Sequence, residues 1–186
     1  MRTKDPDKQK RIKDAVVELI LREGIDGASV SKIAREAGVS PATIYVYYTS
    51  KVDMLSEVFR EYSRMPYRYM IARVKPSMGG SELIDALVRG CYDFSVEHQE
   101  VFSFVEQCSR CPSLYEEVSE TECCCDILDL IHAYQEKGMI RQMRDVTMSA
   151  MLFEPVKMLA MRRSMMEDTE AYLDELSEML RRLLLI

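Results

Sequence analysis

The chain has 186 residues, of which 47% are apolar and 30% charged. This mix argues against general disorder, and a chain of this length buries roughly 70% of its unfolded surface, enough to fold without disulfide or metal staples. Only 7 Gly and 6 Pro are present, while Met, Leu, Glu, Arg and Lys abound, so an all-α fold is expected. The net charge of −6 conceals a polarity. Residues 1–75 carry 15 Lys and Arg against 10 Asp and Glu, whereas residues 76–186 carry 10 against 21. A basic front half and an acidic back half imply that only the front meets a polyanion.

In chain order, Ile12, Ala15, Val16, Leu19 and Ile20 recur at helical spacing, and Gly24 is expected to stop this helix. Ser29 is placed to cap a short helix through Ile33, Ala34 and Ala37, with Gly38 as its stop. Ser40-Pro41 reads as an N-cap followed by a first-turn proline, opening a third helix to about Tyr47. Ser50-Lys51-Val52-Asp53 has capping-box spacing, with Asp53 reaching back to the Ser50 amide, and opens a long fourth helix toward Arg73.

Pro76-Ser77-Met78-Gly79-Gly80 is the clearest linker. Helical periodicity then returns over about residues 81–97, 99–109, 113–137, 145–166 and 169–185, with Pro155 expected to kink the fourth of these. That gives about nine helices. Neither a secretory leader nor a bilayer-spanning run is legible, so the expected location is the cytoplasm, with no membrane partner.

Residues 29–48, SVSKIAREAGVSPATIYVYY, have helix-turn-helix spacing. Ile33, Ala34, Val39 and Ile44 can form a small core that fixes two helices at a steep angle. Ala34 must be small because the second helix crosses close to it, and Gly38 permits the left-handed turn. The second helix is then free to enter a DNA major groove.

In these residues the chain resembles the tetracycline-repressor (TetR/AcrR) family. The matching stretch runs from Gly27 to Ser40 and continues as Thr43-Ile44-Tyr45, Tyr47-Tyr48, Ser50-Lys51 and Leu55. The resemblance implies a three-helix DNA-binding domain over residues 1–52 and a long fourth helix leading into a helical ligand-binding and dimerisation domain over residues 53–186. It further implies a homodimer that represses transcription from a palindromic site in double-stranded DNA and leaves on binding a small-molecule inducer. Carried over by position, Tyr45, Tyr47 and Lys51 would contact phosphates, Ser29 and Ser31 would touch the DNA backbone, and Thr43 would contact a base. Tyr48 falls where the family carries a core phenylalanine. Pro41, Ala42 and Val46 replace residues that are commonly polar or glycine there, giving an apolar recognition surface suited to thymine methyl groups. Lys4, Lys8, Lys10 and Arg11 are candidates for further phosphate contacts.

In the back half, Phe94, Phe102, Phe104, Tyr115, Tyr134, Phe153 and many methionines suit an adaptable apolar pocket. The candidate lining set is Phe94, His98, Phe102, Glu106, Tyr134, Met151 and Phe153. Cys108 and Cys111 have CxxC spacing, and with Cys124 they form the candidate metal or redox set, weighed against inert buried thiols. Adjacent cysteines at 123–125 point about 100° apart on a helix, which limits shared ligation. The last helix repeats apolar residues, and Leu173, Leu176, Leu180 and Leu183 are the expected dimer contacts. No cofactor is expected. With no nucleotide-binding glycine loop, no serine elbow and no HExxH, the sequence does not read as an enzyme.

Overall fold

The structure, a computed structural model, describes residues 5–117 and 120–186, and the side chains of residues 5–114 and 125–186. Lys4 and the side chains of Tyr115, Cys123 and Cys124 lie outside what is described. Ten α-helices occur among the described residues: α1 (Pro6–Gly27), α2 (Val30–Glu36), α3 (Pro41–Tyr47), α4 (Lys51–Ile71), α5 (Gly80–Glu97), α6 (Gln99–Ser109), α7 (Pro112–Glu117), α8 (Glu120–Glu136), α9 (Asp145–Arg162) and α10 (Thr169–Leu184). The chain is all-α, as composition and periodicity require; an isolated antiparallel bridge joins Ile140 and Leu185.

The helix ends follow local chemistry. Asp5 caps α1, accepting from the amides of Asp7 (3.0 Å) and Lys8 (3.4 Å). Gly24 breaks α1 with φ 76°, and a short further turn reaches Gly27. Ser50 caps α4 by accepting from the Asp53 amide at 3.0 Å. The Asp53 carboxylate takes the Thr49 amide (2.7 Å) and hydroxyl (2.8 Å). The expected single helix over 113–137 is described as α7 and α8, on either side of residues 118 and 119. α9 runs through Pro155.

Packing divides the chain into two compact units. One is drawn from Met1–Ser63 and Glu100–Cys123, the other from Arg64–Gln99 and Cys124–Ile186. The first core takes Ile12, Val16, Leu19 and Ile20 from α1, Ile33 and Ala34 from α2, and Ile44 and Tyr47 from α3. It also takes Met54, Leu55, Val58 and Phe59 from α4, and Phe104 and Cys108 from α6. This unit therefore extends beyond residue 52, because the apolar face of α4 is needed to close a core that three short helices cannot complete. The second core gathers Leu83, Ile84, Leu87 and Val88 of α5 with Ile127 and Ile131 of α8, Leu152, Phe153 and Val156 of α9, and Leu173, Leu180 and Leu184 of α10. No described helix is long and apolar enough to cross a membrane.

Candidate DNA-binding surface

The turn between α2 and α3 is a complete Schellman motif. The Val39 amide donates to the Ala34 carbonyl at 2.9 Å and the Gly38 amide to the Arg35 carbonyl at 3.2 Å. Gly38 has φ 64°, a conformation that a side chain disfavours, so the glycine fixes where α2 ends. Ala34 is fully buried, in keeping with the close helix crossing expected of it. Ser29 caps α2, its hydroxyl accepting from the Lys32 amide at 3.3 Å, while Ser31 is exposed.

Ser40 begins α3. Its hydroxyl accepts from the Thr43 amide at 3.1 Å and bonds the Thr43 hydroxyl at 2.9 Å, which orients Thr43 along the front of the helix. Pro41 occupies the first turn, where no amide donor is missed. The helix then sorts its side chains. Ile44 and Tyr47 face the core, and Tyr48 follows them inward at the C-cap. Pro41, Ala42, Tyr45 and Val46 face out, with Tyr45 57% and Val46 49% exposed. An exposed tyrosine and valine side by side on a seven-residue helix are not held there by any core.

Tyr45 and Tyr47 are not on one surface. Residues two apart on a helix diverge by about 200°, so one outward tyrosine forces the other inward. The Tyr47 hydroxyl accepts from the Asp5 amide at 2.9 Å and donates to the Asp5 carbonyl at 3.1 Å. The Tyr48 phenol is buried too, and burial pushes it up to about 12. Lys51 is half-buried, and its ammonium donates to the Ile25 carbonyl at 3.2 Å. The basic residues of the front half are largely matched locally: Lys8 pairs with Asp5 (3.3 Å), Lys10 with Asp14 (2.6 Å) and Lys32 with Glu23 (2.6 Å). Arg35, exposed at the end of α2, and Arg11, whose guanidinium lies against Gly38, flank the turn. Arg35 was not among the sequence candidates; its place in the last turn of α2, beside the glycine stop, was the signal available.

The pocket candidates are drawn from both units. Phe102 and Glu106 belong to the first unit; Phe94, His98, Tyr134, Met151 and Phe153 belong to the second. Within the second unit, Phe94 stacks against exposed His98 with ring centres 5.0 Å apart, and Phe153 meets Tyr67 edge-on at 6.0 Å. The Tyr134 hydroxyl donates to the Met78 carbonyl at 2.9 Å. Phe94, Tyr134 and Phe153 are each buried.

The dimer candidates divide between core and surface. Leu173 and Leu180 are buried in the core of their own chain, Leu176 is half-buried, and Leu183 is exposed. The outward stripe of α10 is instead Tyr172, Leu176, Met179 and Leu183, shifted one residue from the stripe that seals the core. Met158, Met161 and Met165 are exposed beside the end of α9.

Cys108 is buried in the first core, and that burial, followed by the charge of Cys111, pushes its thiol up to about 12. A thiol held protonated is a poor metal ligand or nucleophile. Cys111 bonds the Ser113 hydroxyl at 3.3 Å. Among the described residues no three His, Cys, Asp or Glu side chains converge to hold a metal.

Comparison with known proteins bears on the helix-turn-helix directly. Residues 12–58 match the family model of bacterial regulatory proteins, tetR family. Over that segment the chain is similar to the tetR family. The fatty acid metabolism regulator protein of Bacillus subtilis is 46% identical over 61 residues, covering 33% of this chain and 31% of that protein. The chain spans between 29% and 48% of the length of the curated relatives it matches. Solved structures share the fold over nearly the whole length. A TetR family transcription regulator from Marinobacter aquaeolei superimposes with a TM-score of 0.78 at 22% identity, covering 100% of this chain and 99% of that one. FadR of Bacillus subtilis, in complex with stearoyl-CoA, does so at 0.73 and 24%, covering 92% and 96%. The tetR-type segment is thus matched in sequence, and the helices beyond it are matched in architecture.

Proposed function

We propose that this chain is a DNA-binding transcriptional regulator that works in the cytoplasm as a homodimer, represses from a palindromic operator in double-stranded DNA, and is released by a small-molecule inducer. The observation that carries the reading is the outward face of α3, where Pro41, Ala42, Tyr45 and Val46 stand exposed on a short helix whose other face is locked into the core. Such a helix projects side chains to the depth of a major groove.

Within this reading Tyr45 and Lys51 contact phosphates, Thr43 and Val46 meet base edges, and Ser31 approaches the DNA backbone. Tyr47 acts indirectly, holding the start of α1 against α3. The names of the matched relatives support regulation as the activity class. The FadR complex with stearoyl-CoA supports a small molecule as the effector class. The dimer forms through the outer stripe of α10, Tyr172, Leu176, Met179 and Leu183, together with the exposed methionines of α9. Two-fold pairing presents two copies of α3 to half-sites about one helical turn apart.

The test is selection of bound DNA from a random library, followed by competition with candidate effectors, acyl-CoA thioesters among them. A palindromic consensus that the protein releases on adding an effector supports the reading. Retention of no sequence at low ionic strength would overturn it.

A further inference from the structure

The first unit carries a groove of about 650 Å³ on a side that the α3 surface does not use. Its walls come from three helices. α1 supplies Asp14, Val17, Glu18, Leu21 and Arg22, α4 supplies Tyr62, and α6 supplies Glu100 and Val101. The sequence builds this arrangement by running two i, i+4 rows side by side on α1: Asp14, Glu18 and Arg22 on the rim, Val17 and Leu21 on the floor.

The groove keeps an excess of negative charge, although Asp14 is already paired with Lys10 (2.6 Å). Its single cation, Arg22, is divided among Glu36 (2.8 Å), Glu18 (3.3 Å) and Glu23 (3.5 Å), and the shortest contact goes to Glu36, which is not in the groove. Glu18 is therefore under-compensated, and Glu100 stands exposed in the first turn of α6. The phenol of Tyr62 reports the same field: burial first, then the charges of Asp14 and Glu61, hold it above its ordinary value. Beneath the carboxylates the floor is apolar, with Leu21, Tyr62 and Val101 only half-buried.

We propose that this groove binds a lipophilic organic cation, one positive charge on an apolar body of a few rings. The charge sits between Glu18 and Glu100, and the body covers Val17, Leu21, Val101 and the ring of Tyr62. Alternatives are poorer on physical grounds. A small inorganic cation leaves the apolar floor wet. A neutral apolar molecule desolvates carboxylates without compensation. An anion is repelled. An aromatic ring beside the carboxylates adds cation–π attraction. A ligand so placed touches α1, α4 and α6 together.

The experiment uses the full chain without DNA, so its result does not depend on the regulatory reading. Tetraphenylphosphonium and tetraphenylborate are nearly equal in size and shape and opposite in charge. Calorimetry and amide NMR should show the phosphonium binding once per chain, with shifts centred on Val17, Leu21, Tyr62 and Val101. The double variant Glu18→Gln, Glu100→Gln alters only exposed groups, and should weaken that binding by roughly tenfold. Comparable binding of the borate, unchanged affinity in the double variant, shifts centred elsewhere, or no phosphonium binding would each overturn the proposal.

Discussion

Tyr47 closes a two-way hydrogen-bond clasp on Asp5: the phenol oxygen accepts from the Asp5 amide at 2.9 Å, and its proton goes to the Asp5 carbonyl at 3.1 Å. Residues 42 positions apart in sequence are thereby joined, tying the last residue of α3 to the N-cap of α1. Asp5 in turn holds the first amides of α1. The clasp positions the proposed recognition helix against the longest helix of its unit.

Tyr47→Phe should therefore cost stability, about 1 kcal/mol for the lost bonds, and should weaken DNA binding to all sequences alike. Tyr45→Phe removes a hydroxyl from an exposed side chain, so stability should stay within about 0.5 kcal/mol while DNA affinity falls. Denaturant titration and DNA binding on both variants separate the two roles. A Tyr45→Phe protein with full affinity would remove Tyr45 from the phosphate contacts.

Cys108 yields a pH prediction. In the folded chain its thiol stays protonated to about 12, against an ordinary value of 9.0. A raised value favours the folded state at low pH, so this contribution is complete below about 9 and is lost as pH rises toward 12. Tyr48, pushed from 10.0 to about 12, adds a loss over the upper part of the same window. The denaturation midpoint should fall between these limits, and Cys108→Ala should flatten the fall. At neutral pH, alkylation followed by peptide mapping should modify Cys108 roughly a hundredfold more slowly than exposed Cys125.

The two stripes of α10 make opposite predictions. Leu180→Ala opens a cavity in the core of the chain and should cost about 3 kcal/mol of stability. Met179→Glu alters a side chain 62% exposed in the single chain, and should leave the helical content intact while halving the mass seen by light scattering. A dimeric Met179→Glu protein would move the interface off this stripe.

Gly80 opens α5 where the backbone passes close to the chain end. A Cβ there would lie 2.7 Å from the Met139 carbonyl oxygen and 2.9 Å from Leu185. Gly80→Ala should destabilise the second unit by about 2 kcal/mol, since backbone rather than a mobile side chain must give way. Thermal melting checks it, with Ser81→Ala, exposed at the next position, as the neutral control.

The helices of the first unit were legible because their ends are written in local chemistry. Ser29, Gly38, Ser40-Pro41 and Ser50 each act on an amide or a φ angle within a few residues, and each does what its type and position dictate. The outward turn of Tyr45 was legible as well. Its consequence for Tyr47 follows from the 200° between them, a constraint that the family resemblance, carried over residue by residue, did not weigh.

What the sequence by itself determined is the all-α class, the helix-turn-helix and its boundaries, because capping, turn chemistry and helical period act over one or two turns. Only the tertiary structure decided which leucines of α10 are core, that Tyr47 holds Asp5, that the pocket candidates divide between two packing units, and that Cys108 is buried. Each of these depends on which helices meet, and an apolar stripe at helical spacing states that a face will be covered without stating by what.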